Sequence, residues 1–190
     1  MSDFTWRQEL TDETVRDDLD SRHPERKELR PTDVTGLRRA FDALGQMWAP
    51  TIEHAQGLPQ AKVHERVNGE YSFVETLRHL LFAWDNWITR MVLRVPNGYH
   101  PWGVAPETRA DSVVDLDRVL EVRADGFARV GTYLSTASDA DLQTVASPPD
   151  SSGYPQTNHP VIYCFRVVLH DEWWHHQYAL RDLAVVETQL

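Results

Sequence analysis

A carboxylate and an imidazole stand four residues apart, Glu172 and His176, inside a run from Val161 to Val186 that contains neither proline nor glycine. Leu169, Glu172, Trp173, His176, Leu180 and Leu183 recur at steps of three and four, which places them on one stripe of a helix. The stripe is mostly apolar, so it faces a core. Burying a carboxylate and an imidazole there is costly unless something pairs them, and a divalent metal is one efficient partner. A further donor must come from another element, and His79 is the candidate. It follows Ser72 and Glu75, the pattern of a capping box, on a helix whose Thr76, His79, Leu80, Ala83 and Trp87 share a face. One histidine from one helix and a Glu-x-x-x-His pair from another would leave coordination positions open, as metal catalysis requires.

The elements that must carry these residues are helical throughout. Asp33 is a good N-cap for a first long helix with Leu37, Phe41, Leu44 and Trp48 on one face, ended by Gly57 and Pro59. A second runs from about Phe73 to Val95 and stops at Pro96-Asn97-Gly98. A third starts near Asp111, with Val114, Val119, Val122, Phe127, Val130 and Leu134 as its apolar positions. Pro160 suits the first position of the fourth. No strand signal extends beyond a few residues, so the fold class is all-α, a four-helix bundle over residues 33–190. His79 lies roughly 10 Å from the start of its helix and His176 roughly 15 Å from the end of its own, depths that match when the two helices are antiparallel. The long connection after the second helix permits an up-down-down-up order. Residues 1–32 are densely charged, with Phe4, Trp6, Leu10, Val15, Leu19 and Leu29 as apolar anchors, and read as an N-terminal arm lying over the bundle or reaching a neighbouring subunit.

Composition narrows the function. A net charge of -10, with no Lys/Arg cluster outside residues 22–30, argues against nucleic acid. No apolar run approaches a membrane span and no signal pattern opens the chain, so a cytoplasmic protein is expected. The single cysteine, Cys164, forbids an internal disulfide and reads as a small buried hydrophobe. The aromatic residues Trp84, Trp87, Tyr99, Trp102, Trp173, Trp174 and Tyr178 either pack the core or line a pocket, with His100 and Trp102 placed by their loop at a pocket mouth.

The segment Val-Asn-Gly-Glu-Tyr-Ser-Phe-Val-Glu-Thr-Leu-Arg-His79 and the run Glu172-Trp-Trp-His175-His176-Gln-Tyr-Ala-Leu-Arg-Asp-Leu together resemble the DinB-like family of metal-binding four-helix bundles. The resemblance covers residues 33–186. It implies an up-down-down-up bundle holding one divalent metal through a histidine of the second helix and two ligands four apart in the fourth, here His79, Glu172 and His176. Many members carry histidine where this chain has Glu172, so zinc, nickel, manganese or iron are all compatible. Related bundles include thiol-dependent isomerases and transferases, and dimers are common among them. The expected function is therefore a metal-dependent enzyme acting on a small molecule, by transfer of a low-molecular-weight thiol or by hydrolysis. Two alternatives compete: a non-catalytic metal-binding or ligand-binding stress or sensor bundle, and a hydrogen-bonded core cluster with no metal.

Each site residue also has a plainer reading. Glu172 could be neutralised by an arginine, with Arg78 and Arg166 as candidates. His79 could be a core histidine on a backbone or side-chain oxygen. His175, about 100° round the helix from His176, is able to pair with Asp171 and reads as a structural residue beside the ligands, or as the catalytic proton relay of the enzyme reading. The other possibility is that His175 replaces His176 as the ligand.

Overall fold

The computed structural model describes residues 12–106, 108–110, 112–150 and 154–188. Four long helices enclose the core: α2 (Val34–Gln56), α4 (Phe73–Trp84), α5 (Leu116–Thr136) and α7 (Val161–Glu187). They are accompanied by α1 (Glu13–Arg22), the short α3 (Gln60–Val63) and α6 (Asp139–Gln143), and a two-stranded ribbon, β1 (Val145–Ala146) with β2 (His159–Pro160), paired antiparallel. The all-α class expected from periodicity holds. Both α2 and α4 pack along α5 and α7. Trp87 meets Tyr163 near one end of the α4–α7 contact and His79 meets His175 further along, so these two helices run in opposite directions.

Local chemistry sets the boundaries. Asp33 caps α2 by accepting from the Gly36 amide, and Pro50 sits inside that helix without ending it. The Ser72–Glu75 capping box closes the start of α4 as its spacing predicts. Beyond Trp84 the same rod continues as a π-helical stretch, Asp85–Val92, rather than as α-helix to Val95. The i−5 bond from the Leu93 amide to the Ile88 carbonyl marks this widened turn. The start expected near Asp111 moves to Leu116, because Asp115 is the residue whose side chain caps α5, accepting from the Asp117 amide; Asp111 itself lies outside the described residues. Pro160 belongs to β2 and precedes α7, and the Val161 amide donates instead to the Thr144 carbonyl.

The arm folds back on the bundle. Its α1 leads into a 3-10 turn, Pro24–Leu29, and Leu19 and Leu29 join the core. Buried Asp20 accepts from Arg26 and Arg30, and the Arg26 guanidinium lies 4.2 Å from the Trp173 ring centroid. The expected anchors Phe4, Trp6 and Leu10 lie outside the described residues. No helix among the described residues is long and apolar enough to cross a membrane.

Candidate functional site

Two imidazoles converge in the groove between α4 and α7, and they belong to His79 and His175. Their ring centroids are 4.8 Å apart. Both line a cavity of about 450 Å³ with Tyr71, Thr76, Tyr178 and Asp182. Neither Glu172 nor His176 lines it; on α7 the lining histidine is His175, the neighbour of His176.

The His79 ring is held by the connection that follows the π turn. Arg78, the residue before it, donates from Nε to the Trp102 carbonyl at 2.8 Å and from Nη1 to the Ser112 carbonyl at 2.6 Å. The Val104 amide donates back to the Arg78 carbonyl. This fastening presents the Val104 carbonyl to His79, whose Nδ1–H donates to it at 2.9 Å. On α7, His175 donates from Nδ1 to the Asp171 carbonyl one turn earlier, at 2.8 Å. A carbonyl only accepts, so Nδ1 carries the proton in both rings and each Nε2 keeps its lone pair. Among the described residues neither Nε2 has a hydrogen-bond partner.

Burial, followed by the neighbouring His175, lowers the His79 pKa to about 4. Burial also lowers that of His175. The Asp171 charge raises both, without offsetting the burial. Neutral imidazoles held through Nδ1–H on carbonyls, with Nε2 unprotonated, are the form in which histidine ligates a divalent transition metal. Among the described residues no three His, Cys, Asp or Glu side chains form a ready ligand group. The cavity thus receives two imidazole donors, while Asp171, the carboxylate one turn before His175, lines a different cavity.

Glu172 and His176 are buried and have protein partners on the facing helices. Glu172 is fully buried and accepts two bonds of 3.0 Å from Arg123 of α5, one on each oxygen, and one of 2.6 Å from Trp84 Nε1 of α4. Trp48 of α2 lies 5.4 Å from the Arg123 guanidinium, so all four long helices meet at this pair. Neither Arg78 nor Arg166 neutralises Glu172: Arg78 fastens the loop and Arg166 donates to the Pro31 carbonyl. His176 shares a 2.9 Å bond with Thr51 Oγ1 and packs edge-on against Trp48, and burial lowers its pKa to about 4.

Arg123 is the residue the sequence reading missed, although a signal was present. The buried side of α5 runs Leu116, Val119, Arg123, Gly126, Val130, Leu134. Arg123 thus occupies a core position of an otherwise apolar stripe, and a buried guanidinium there demands an acid from a facing helix.

Other expectations are settled by position. Leu180, placed on the buried stripe of α7, is 44 % exposed, and Ala179 takes the inward place. Of the aromatic set only Tyr178 lines the histidine cavity. His100 lines a different cavity, beside Asp85 and Tyr99. Cys164 is buried, and burial pushes its thiol up to about 12, which suits a packing role.

A family model, described as the DinB superfamily, matches residues 43–179. Comparisons with curated proteins and with solved structures give no match. The matched segment includes His79, Asp171 and His175 and begins after the arm.

Proposed function

Since this chain belongs to the DinB superfamily, we propose that the cavity between α4 and α7 holds a divalent metal on His79 and His175 and serves a metal-dependent enzyme acting on a small molecule. The observation that carries the reading is the shared orientation of the two imidazoles. Each has Nδ1–H on a backbone carbonyl, which leaves Nε2 with the lone pair, and both rings line the same cavity. Asp171 is the residue that could add a carboxylate, because it stands one helical turn before His175 and its charge reaches both rings. A donor set of imidazoles suits zinc, nickel or iron, and a carboxylate would extend the range to manganese.

When bound, such an ion supplies Lewis acidity, lowering the pKa of water or of a low-molecular-weight thiol so that either becomes a nucleophile at neutral pH. The chain's own residues do the positioning. The Val104 and Asp171 carbonyls fix the tautomer and plane of each ring. Tyr71, whose ring is 5.4 Å from His79, and Tyr178, 5.8 Å from His175, form flat walls that exclude water from one side of a substrate. In this reading His175 is a ligand and not the proton relay that its neighbourhood with His176 suggested. Thiol transfer or isomerisation and hydrolysis are the reaction classes such a site supports.

Elemental analysis of the untagged protein tests the site. About one ion per chain is expected in the wild type after supply of zinc or nickel. It should be lost in the His79→Ala/His175→Ala double variant and retained in His176→Gln. A wild type that binds no ion under these conditions, or loss caused by His176→Gln in a folded protein, would sink the assignment.

A further inference from the structure

The cavity lined by His79 and His175 is also lined by Arg109, which is exposed and forms no hydrogen bond or ion pair among the described residues. The other charged groups of the lining are committed. Arg66 donates from Nε and Nη2 to the two oxygens of Glu75. Glu70 and Asp182 both accept from Arg181, which does not itself line the cavity. Counted with these partners, the guanidiniums of Arg66, Arg109 and Arg181 face the carboxylates of Glu70, Glu75 and Asp182, so the lining is electrically balanced. A divalent ion on two imidazoles that burial keeps neutral would make the site positive, and would do so even with the Asp171 charge added.

The connection that orients His79 also sets the place of Arg109. Val104 accepts from His79 Nδ1 through its carbonyl, and the next carbonyl, that of Ala105, accepts from the Tyr71 hydroxyl at 3.0 Å and from the Thr108 hydroxyl at 2.6 Å. The Thr108 amide donates to the Ala105 carbonyl as well. Tyr71 and Thr108 both line the cavity, so this turn ties the segment bearing Arg109 to the cavity wall. The volume, about 450 Å³, is in the range of small-molecule sites, and one ligand can lie between the histidines and the guanidinium.

Resting on the metal reading above, we propose that the substrate of this site carries a carboxylate, which Arg109 binds while another group of the same molecule approaches the ion. A planar carboxylate matches the guanidinium fork with two parallel hydrogen bonds. Its charge also offsets the charge that the ion brings. Arg109 selects the substrate by that charge, and its guanidinium takes no part in the bonds that change.

Isothermal titration of the zinc-loaded full chain with mercaptopropionate and with mercaptopropanol tests this, with elemental analysis of the same sample. Both probes offer a thiol to the ion, and only the first has a carboxylate. The acid is expected to bind about tenfold more tightly than the alcohol, the scale of a charge-assisted hydrogen-bonded pair. Arg109→Gln changes an exposed side chain and should weaken the acid about fivefold, the scale of an ion pair open to solvent, while leaving the alcohol unchanged. A protein that takes up no zinc overturns the metal reading and this one with it. In a zinc-loaded protein, equal affinity for acid and alcohol, an unaltered affinity for the acid in Arg109→Gln, or no binding of either probe at millimolar concentration would overturn this proposal and leave the metal site standing.

Discussion

Truncating Glu172 separates a structural carboxylate from a metal ligand. Glu172→Ala takes the acceptors from both η nitrogens of Arg123, a residue only 6 % exposed, and from the indole N–H of Trp84. Breaking a buried ion pair from one side costs about 3–5 kcal/mol, because the remaining charge stays in a poorly polarisable interior. An orphaned buried donor costs about 1–3 kcal/mol. The two costs overlap, since the space left by the side chain can admit water to serve both, so a loss of about 4 kcal/mol is expected. With a urea dependence of about 2 kcal/mol per molar, the unfolding midpoint should fall by about 2 M, followed through tryptophan fluorescence. The double variant Arg123→Met/Glu172→Leu removes both charges and fills the space with apolar atoms, a replacement that is often neutral or stabilising. Only the Trp84 N–H is then left unpaired, and the midpoint should return to within about 1 M of the wild type. A Glu172→Ala protein that unfolds at the wild-type midpoint would refute the reasoning. So would a double variant no more stable than the single one.

Two further outcomes follow from the surroundings of named residues. Burial pushes the Glu75 carboxyl up, but bonds from Arg66 and Ser72 outweigh it and hold its pKa below the ordinary 4.5. A carboxylate with a depressed folded pKa stabilises the protein above its unfolded pKa and loses that contribution as pH falls through the folded value. Glu75→Gln should therefore cost about 1–2 kcal/mol at pH 7, a difference that vanishes below the carboxylate range, and thermal melts of both proteins at pH 7 and pH 3 would show it; a difference unchanged by pH would contradict the ion pair. Gly45 and Gly131 lie in exposed turns of α2 and α5, where a Cβ would meet nothing within 4 Å. Alanine at each should add about 0.5–1 kcal/mol by restricting the unfolded chain and improving helix propensity, raising the melting temperature by about 2–4 °C per substitution. A fall at either position would mean the helix surface there is covered.

Most of the fold could be read from the sequence because its signals are local. The Ser72–Glu75 box, the Asp33 cap and the proline- and glycine-free run of α7 depend on residues within a few positions of one another, and all three appear where the chain places them. The π stretch after Trp84 has no comparable local mark. Asp85 is engaged there from a distance, by the His100 amide of the following connection as well as by Thr89. The start of α5 was also shifted, because acidic residues near 111 and at 115 are equally good caps by type and only one is at the helix entrance.

The elements that carry the candidate site were legible, while the sequence offers its register on α7 in two ways. The run His-Asp-Glu-Trp-Trp-His-His offers two acid–histidine pairs at the same spacing of four, Asp171 with His175 and Glu172 with His176. Periodicity favours the second, because Leu169, Trp173 and Leu183 mark that side of the helix as inward. Inward does not by itself mean metal-binding, because α7 is surrounded on more than one side. Its deepest face looks into the bundle centre, where Arg123 supplies the cation that a buried carboxylate needs. The face about 100° away looks along α4, where His79 stands and a cavity reaches solvent. The proposed metal site needs both burial and access, which the half-buried Asp171 and His175 on the flank combine and the buried Glu172 and His176 at the centre do not. Arg123 is what a local pattern on α7 cannot reveal: one buried guanidinium on α5 pairs with Glu172, while His175 faces His79.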